Sequence, residues 1–472
     1  MALAIFSEER RKWWTLAAVS FGLFMIMLDN TVLNVALPAI QEDLGTDLSE
    51  LQWIVAGYAL SFAALMLIGG KLADAYGRRL IFVLGIVVFT GASLWSGLAD
   101  SGDMLIAARV VQGIGAALMN PATLSIIAAT FPARERGTAI GIWAGVSALA
   151  LAVGPLVGGL LTESLSWHWI FFINIPVGIV GIAASYLLIR ESKDDTHESL
   201  DLPGLATSAL GLFALTYGLI EANAYGWTSA RIVGSFVVAV VSLAAFLVIE
   251  RRRRSPMLDL SLFRSRTYAG ANLAMLLVAL SMFGVFFFVS LYMQNVLGYS
   301  AVQAGAAFLP MTVLIILVAP VAGKLSDKYG SRWLMSAGMV LLGVQLLYFS
   351  QLGPDASFWD LLPAFLVGGL GMAISMTPTA AAATRAVPVE KSGVGSAVLN
   401  AMRQVGGSIG IALMGAIVAA EASGRPGVAG FMAGFERALV VASAIAFVGA
   451  VVAFALVRQE AAHEAAPVEV AA

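Results

Sequence analysis

The chain has 472 residues, of which 60% are hydrophobic and 12% charged, with a mean hydropathy of +0.89. Soluble globular domains carry about 25% charged residues, so this composition excludes one and implies an integral membrane protein. The net charge of -2 offers nothing to attract nucleic acid, and the lack of cysteine excludes disulfides, thiol catalysis and thiolate metal sites.

The N-terminus, MALAIFSEERRKWW, places a basic run before an apolar segment of full spanning length with no small-residue cleavage site, which reads as a retained first helix. Apolar runs bounded by charge or turn residues follow near 14–38, 51–72, 80–99, 104–131, 137–162, 168–189, 203–221, 229–250, 267–297, 302–325, 332–352, 360–382, 393–420 and 436–457. They predict an all-α fold of fourteen transmembrane helices. Of the 27 Lys and Arg, all but Arg109, Arg231, Arg403, Arg425 and Arg437 fall on one alternating side. With an even number of spans, both termini share that side, and the positive-inside rule makes it the cytoplasm. The run Arg251 to Arg254 belongs to this signal, with an anionic-lipid site as the lesser alternative.

The first run carries one carboxylate, Asp29, about 22 Å into an apolar slab about 30 Å thick, counted from Trp14 by helical rise. An ionised group there costs several kcal/mol unless it meets a partner or a water-filled cavity, which marks Asp29 as a functional site. Arg109, in the fourth run, lies by the same count about 7 Å below the opposite face, near the level of Asp29. The two are expected to meet.

After the second run, GKLADAYGRR (70–79) recurs as GKLSDKYGSR (323–332) after the tenth, with seven of ten positions identical. Composition bias cannot produce such a pattern, so the chain carries an internal duplication. An offset of eight helices rather than six implies two six-helix halves with two helices inserted between them. The divisions are 1–189 for the N-terminal bundle, 190–266 for the linker and inserted pair, 267–457 for the C-terminal bundle and 458–472 for a disordered cytoplasmic tail. Repeat-built transporters hold their site near the midplane between the halves.

The chain resembles the fourteen-span drug:proton antiporter branch of the major facilitator superfamily over essentially its whole length. In LDNTVLNVALP (28–38) the resemblance implicates Asp29 in proton coupling, and in RVVQGIGAALMNP (109–121) it implicates Arg109 in proton transfer. The loop residues Gly70, Asp74, Gly77, Arg78 and Arg79 resemble a gating motif. There the glycines permit close approach and a tight turn, and the charges form a network that breaks as the halves separate. In GIWAGVSALALAVGPLVGG (141–159), residues Gly141, Gly145, Gly154, Pro155, Gly158 and Gly159 resemble the motif that separates exporters from importers. Physically the small residues permit close helix packing and the proline a bend. WHWIFFINIP (167–176) and AMRQVGGSIGIAL (401–413) also resemble family stretches, with His168 standing where the family more often has Arg.

The substrate pocket is less legible. Asn34, Tyr58, Gln112, Asn120 and Gln294 are polar groups in or near spans and are weak candidates for substrate contact. Glu421 and Asp360 sit at span ends, which argues against a dication preference. The three histidines, His168, His197 and His463, are too scattered for a metal site. No G-x-x-x-x-G-K-[ST] loop appears, and no paired carboxylates or nucleophile-base set lies within the spans, so neither ATP use nor an enzyme is expected. The expected protein is a monomeric multi-pass antiporter in the cytoplasmic membrane of a bacterium. It is expected to need no cofactor, to draw on the proton gradient, and to export amphipathic drugs or other hydrophobic or monocationic compounds. A dedicated exporter of one endogenous metabolite, lipid or antibiotic is the alternative, with a membrane-embedded enzyme or sensor behind it.

Overall fold

The computed structural model describes residues 8–193, 201–253, 256–388, 391–425 and 427–458. His197, His463 and the expected disordered tail beyond Arg458 lie outside them. Among the described residues there is no strand, and fourteen helices are long and apolar enough to cross a membrane. Spans 1 to 7 are Arg10–Leu44, Leu48–Tyr76, Arg78–Gly97, Gly102–Thr130, Thr138–Ser164, Trp169–Leu188 and Leu202–Tyr225. Spans 8 to 14 are Ala230–Arg252, Arg266–Val296, Ala301–Tyr329, Arg332–Phe349, Phe358–Arg385, Val394–Ala422 and Val428–Leu456.

The surrounding solvent, more than propensity, makes these segments helical. In hydrocarbon each backbone N–H and C=O must be satisfied within its own segment. Even the β-branched run VVAVV of span 8 is therefore helix, with Val240 and Val241 exposed on its outer surface. Three of the spans that enter from the face opposite the termini, spans 2, 10 and 12, start on reciprocal capping boxes: Asp47 with Glu50, Ser300 with Gln303 and Ser357 with Asp360. At the terminal face, spans 2 and 10 end on Gly77 and Gly330, both in the left-handed region with φ of 122° and 81°. The repeated sequence thus produces the same turn twice.

Packing repeats with the same offset of eight. Span 2 packs on span 4 and span 10 on span 12; span 1 packs on span 5 and span 9 on span 13; span 3 packs on span 6 and span 11 on span 14. Contacts between the halves obey the same relation, span 2 meeting span 13 and span 10 meeting span 5. The extra pair, spans 7 and 8, pack on each other, and span 7 also lies against spans 2 and 13.

Candidate functional site

Asp29 is fully buried and joins spans 1, 4 and 6 directly, with span 3 tied in through Ser93. Its Oδ2 accepts from Arg109 Nη1 of span 4 at 2.6 Å, and its Oδ1 accepts from Gln112 Nε2 at 2.8 Å and from Asn174 Nδ2 of span 6 at 3.1 Å. Ser93 Oγ of span 3 accepts from Gln112 at 2.8 Å and from Asn174 at 3.3 Å. Arg109 also donates to Gln112 Oε1 at 2.6 Å and, through Nε, to the Ile54 carbonyl of span 2 at 3.3 Å. The i, i+3 spacing of Arg109 and Gln112 puts both on one face of span 4, so the acid receives a charge and an amide from a single helix. The Arg109 and Asp29 side chains are 1% and 0% exposed. Removing one partner of such a pair strands a buried charge, at a cost of about 3–5 kcal/mol.

The cluster lies inside the N-terminal bundle, one residue layer behind the interface between the halves. That layer is Tyr58: the Arg109 guanidinium stacks over its ring at 4.3 Å, and its hydroxyl accepts from Asn30 Nδ2 at 3.3 Å. Across the interface, Arg403 of span 13 stands within electrostatic range of Tyr58.

Towards the face opposite the termini the halves are sealed. Gln52 Nε2 donates to the Ile411 carbonyl at 2.7 Å, Gln294 Nε2 to the Val35 carbonyl at 3.0 Å, and the Val302 N–H to Glu163 Oε2 at 3.0 Å. Gln294 sits in a π-helical turn, Tyr292–Val296, that ends span 9. Such an irregularity re-aims side chains and recurs at functional sites.

Span 5 divides in two along this axis. A Cβ on Gly154 would lie 1.8 Å from Thr31 Oγ1, on Gly158 2.6 Å from the Val32 carbonyl oxygen, and on Gly159 2.4 Å from the Ala301 carbonyl oxygen. Close packing therefore holds for these three and for Pro155, whose carbonyl oxygen would lie 2.2 Å from a Cβ on Gly305. It does not hold for Gly141 and Gly145, which are exposed and have nothing within 4 Å of a Cβ position. They lie towards the terminal face on the uncovered side of span 5, whereas Trp143 between them donates to Thr123 Oγ1 of span 4 at 3.1 Å.

The repeated loop departs from expectation in two respects. Close backbone approach belongs to Gly69, where a Cβ would lie 2.2 Å from the Ala117 carbonyl oxygen, whereas at Gly70 the nearest atom is Pro121 Cβ at an ordinary 3.5 Å. One residue turns the helix by about 100°, which moves the contact off the motif's first glycine. The charges also pair within a half rather than across the gap. Arg78 bonds Asp74 at 2.8 Å, and Glu191 accepts from the backbone N–H of Arg79 at 3.0 Å and of Leu80 at 3.1 Å, capping span 3. In the second copy Asp327 pairs with Arg385 at 2.7 Å.

The weak substrate candidates separate by burial. Tyr58, Gln112 and Asn120 are buried, Gln112 as a ligand of Asp29, while Asn34 and Gln294 are partly exposed. Asn174 and Ser93 escaped the sequence reading. Asn174 could have been found as a polar residue inside the span that begins WHWIFFINIP; a serine in an apolar helix such as Ser93 gives no signal. His168 stacks on Trp167 with ring centroids 3.8 Å apart. Among the described residues no group of three or more His, Asp or Glu could hold a metal ion.

Residues 19–411 match the family model described as Major Facilitator Superfamily. The chain is 37% identical over 412 residues to the tetracenomycin C resistance and export protein of Streptomyces glaucescens, covering 87% of this chain and 77% of that protein. It is 36% identical over 415 residues to the multidrug resistance protein Stp of Mycobacterium tuberculosis, with the same coverages of 87% and 77%. In fold it is similar to an inward-facing, unoccupied bacterial homologue of the human lysosomal transporter Spinster. That match has a TM-score of 0.67 and 18% identity, covering 94% of this chain and 96% of that one.

Proposed function

The chain belongs to the Major Facilitator Superfamily and is a membrane transporter of small molecules rather than an enzyme, and from that premise we propose that it exports amphipathic compounds in exchange for protons. Relatives named for antibiotic export and multidrug resistance support efflux. The observation that carries proton coupling is the Asp29–Arg109 pair at 2.6 Å, a buried carboxylate whose charge is balanced by one cation. We place the protein in the cytoplasmic membrane of a bacterium, as a monomer with both termini in the cytoplasm. The division into halves at 1–189 and 267–457, with 190–266 between them, is supported by the eight-span recurrence of packing.

In this proposal the proton and the cargo occupy different places. Asp29 is enclosed by Arg109, Gln112 and Asn174, so cargo at the interface acts on it through Tyr58 and Arg109. A proton on Asp29 removes the counter-charge of Arg109, whose guanidinium then rearranges what lies beyond Tyr58. Ionised Asp29 and neutral Asp29 thereby favour different arrangements of spans 1, 2, 4 and 6. One elementary charge crossing 100 mV is worth about 2.3 kcal/mol, enough to sustain roughly a 50-fold gradient of cargo.

The test is accumulation of an amphipathic dye by inside-out vesicles carrying the protein. An imposed pH gradient, acid inside, is expected to drive uptake that a protonophore abolishes. Uptake indifferent to the gradient would refute proton coupling while leaving the family assignment intact. Competition between chemically unrelated dyes separates a multidrug pump from a dedicated exporter.

A further inference from the structure

Two arginines, Arg109 and Arg403, reach the middle of the bundle, and Asp29 is already engaged by the first. Arg403 lies on span 13, half-buried. Its Nε is enclosed without a hydrogen-bond partner, and Tyr58 stands in its electrostatic surroundings. Two further donors on the same two turns of helix, Gln404 Nε2 and Ser408 Oγ, are likewise buried without a partner. Measured down each helix from the Gln52–Ile411 seal, Tyr58 lies about 9 Å and Arg403 about 12 Å below it, so both stand at one level of the interface between the halves.

An enclosed guanidinium N–H without a partner is costly, and the planar set of N–H donors it belongs to matches an oxyanion. We propose that Arg403 is the recognition residue for an acidic group on the cargo, so that the transported class is an amphipathic molecule bearing a carboxylate or phenolate. Gln404 Nε2 and Ser408 Oγ are further unpartnered donors on the same span. The expectation of a hydrophobic or monocationic cargo presumes an acid open to the interface. Arg109 occupies that acid, and the charge left at the interface is positive.

This inference rests on the export reading, yet equilibrium binding tests it apart from transport. Three probes share one apolar body and differ only in charge: 1-pyrenebutyrate, its methyl ester, and a pyrenebutyl trimethylammonium. Binding to the purified full-length protein is followed by fluorescence anisotropy. The carboxylate is expected to bind about tenfold or more tightly than the ester and the cation. Arg403→Gln is expected to erase that preference while leaving ester affinity unchanged, which also reports that the variant is folded; Arg403→Lys is expected to keep part of the preference. The proposal is overturned by equal binding of carboxylate and ester, by tighter binding of the cation, by a preference that survives Arg403→Gln, or by binding of none of the three. Loss of gradient-driven uptake with the binding preference intact would count against antiport and leave the assignment of Arg403 standing.

Discussion

Asp29 and Arg109 are 80 positions apart in the chain and 2.6 Å apart in space, and they form a charged pair that ties span 1 to span 4 in the buried centre of the N-terminal bundle. Charge balance is what the pair provides. Arg109→Ala leaves an enclosed carboxylate without its cation and is expected to destabilise the protein by about 3–5 kcal/mol at neutral pH. The double variant Asp29→Asn, Arg109→Gln removes both charges and is expected to recover most of that loss. Thermal unfolding in detergent measures both, and equal stability of the single and double variants would contradict the pairing.

Span 5 should respond to added methyl groups in opposite ways at its two ends. Gly158→Ala forces a methyl to 2.6 Å from the Val32 carbonyl oxygen and is expected to lower stability by about 1–3 kcal/mol. Gly145→Ala meets nothing within 4 Å and is expected to leave the melting temperature unchanged. If the terminal-face half of span 5 closes on a neighbour during transport, Gly145→Ala is expected to slow turnover all the same. Uptake rates measured beside the melting curves separate the two effects.

The seal between the halves rests on side chains bonding backbone. Gln52→Ala and Gln294→Ala remove the donors to the Ile411 and Val35 carbonyls and are expected to loosen the closed face. Because the chain contains no cysteine, Asn34→Cys gives a single reporter. A membrane-impermeant maleimide added from the face opposite the termini is expected to label it several-fold faster when Gln52 and Gln294 are both replaced. Unchanged labelling would show that the helices seal without these bonds.

At the terminal face, Asp259 of the linker before span 9 bonds Lys391 at 2.6 Å. Burial alone would raise the Asp259 carboxyl, but the bonds from Lys391 and Ser261 outweigh it and hold the group below the usual carboxylate range. A carboxyl depressed in the folded state contributes stability above its unfolded pKa of about 3.9 and loses it as the pH falls through the folded value. Asp259→Asn is therefore expected to lower the melting temperature slightly at pH 7 and not at pH 3. An equal difference at both would exclude the ion pair as the cause.

Much of this was open to a reader of the sequence, for identifiable reasons. A membrane span is long and uniformly apolar, so all fourteen appear as runs, and the offset of the GKLxDxYG repeat already implies the eight-span symmetry seen in the packing. The meeting of Asp29 and Arg109 follows from helical rise along two spans of opposite direction. Rise, however, gives depth and not the direction in which a side chain points. Depth alone therefore makes Gln112 a weak substrate candidate although it faces Asp29, and cannot tell Gly69 from Gly70. The exposure of Gly141 and Gly145 depends on how the other spans pack around span 5, which no local pattern encodes.

The central claim is that a proton on Asp29 and bound cargo exclude each other, so that cargo binding releases the proton wherever the starting pH has put one there. It is tested most directly by adding a transported dye to the purified protein in weakly buffered detergent and reading the pH with an indicator. The wild type is expected to acidify the solution as the dye binds, whereas Asp29→Asn is expected to bind the dye and release no proton. Equal proton release from the two proteins would contradict the account.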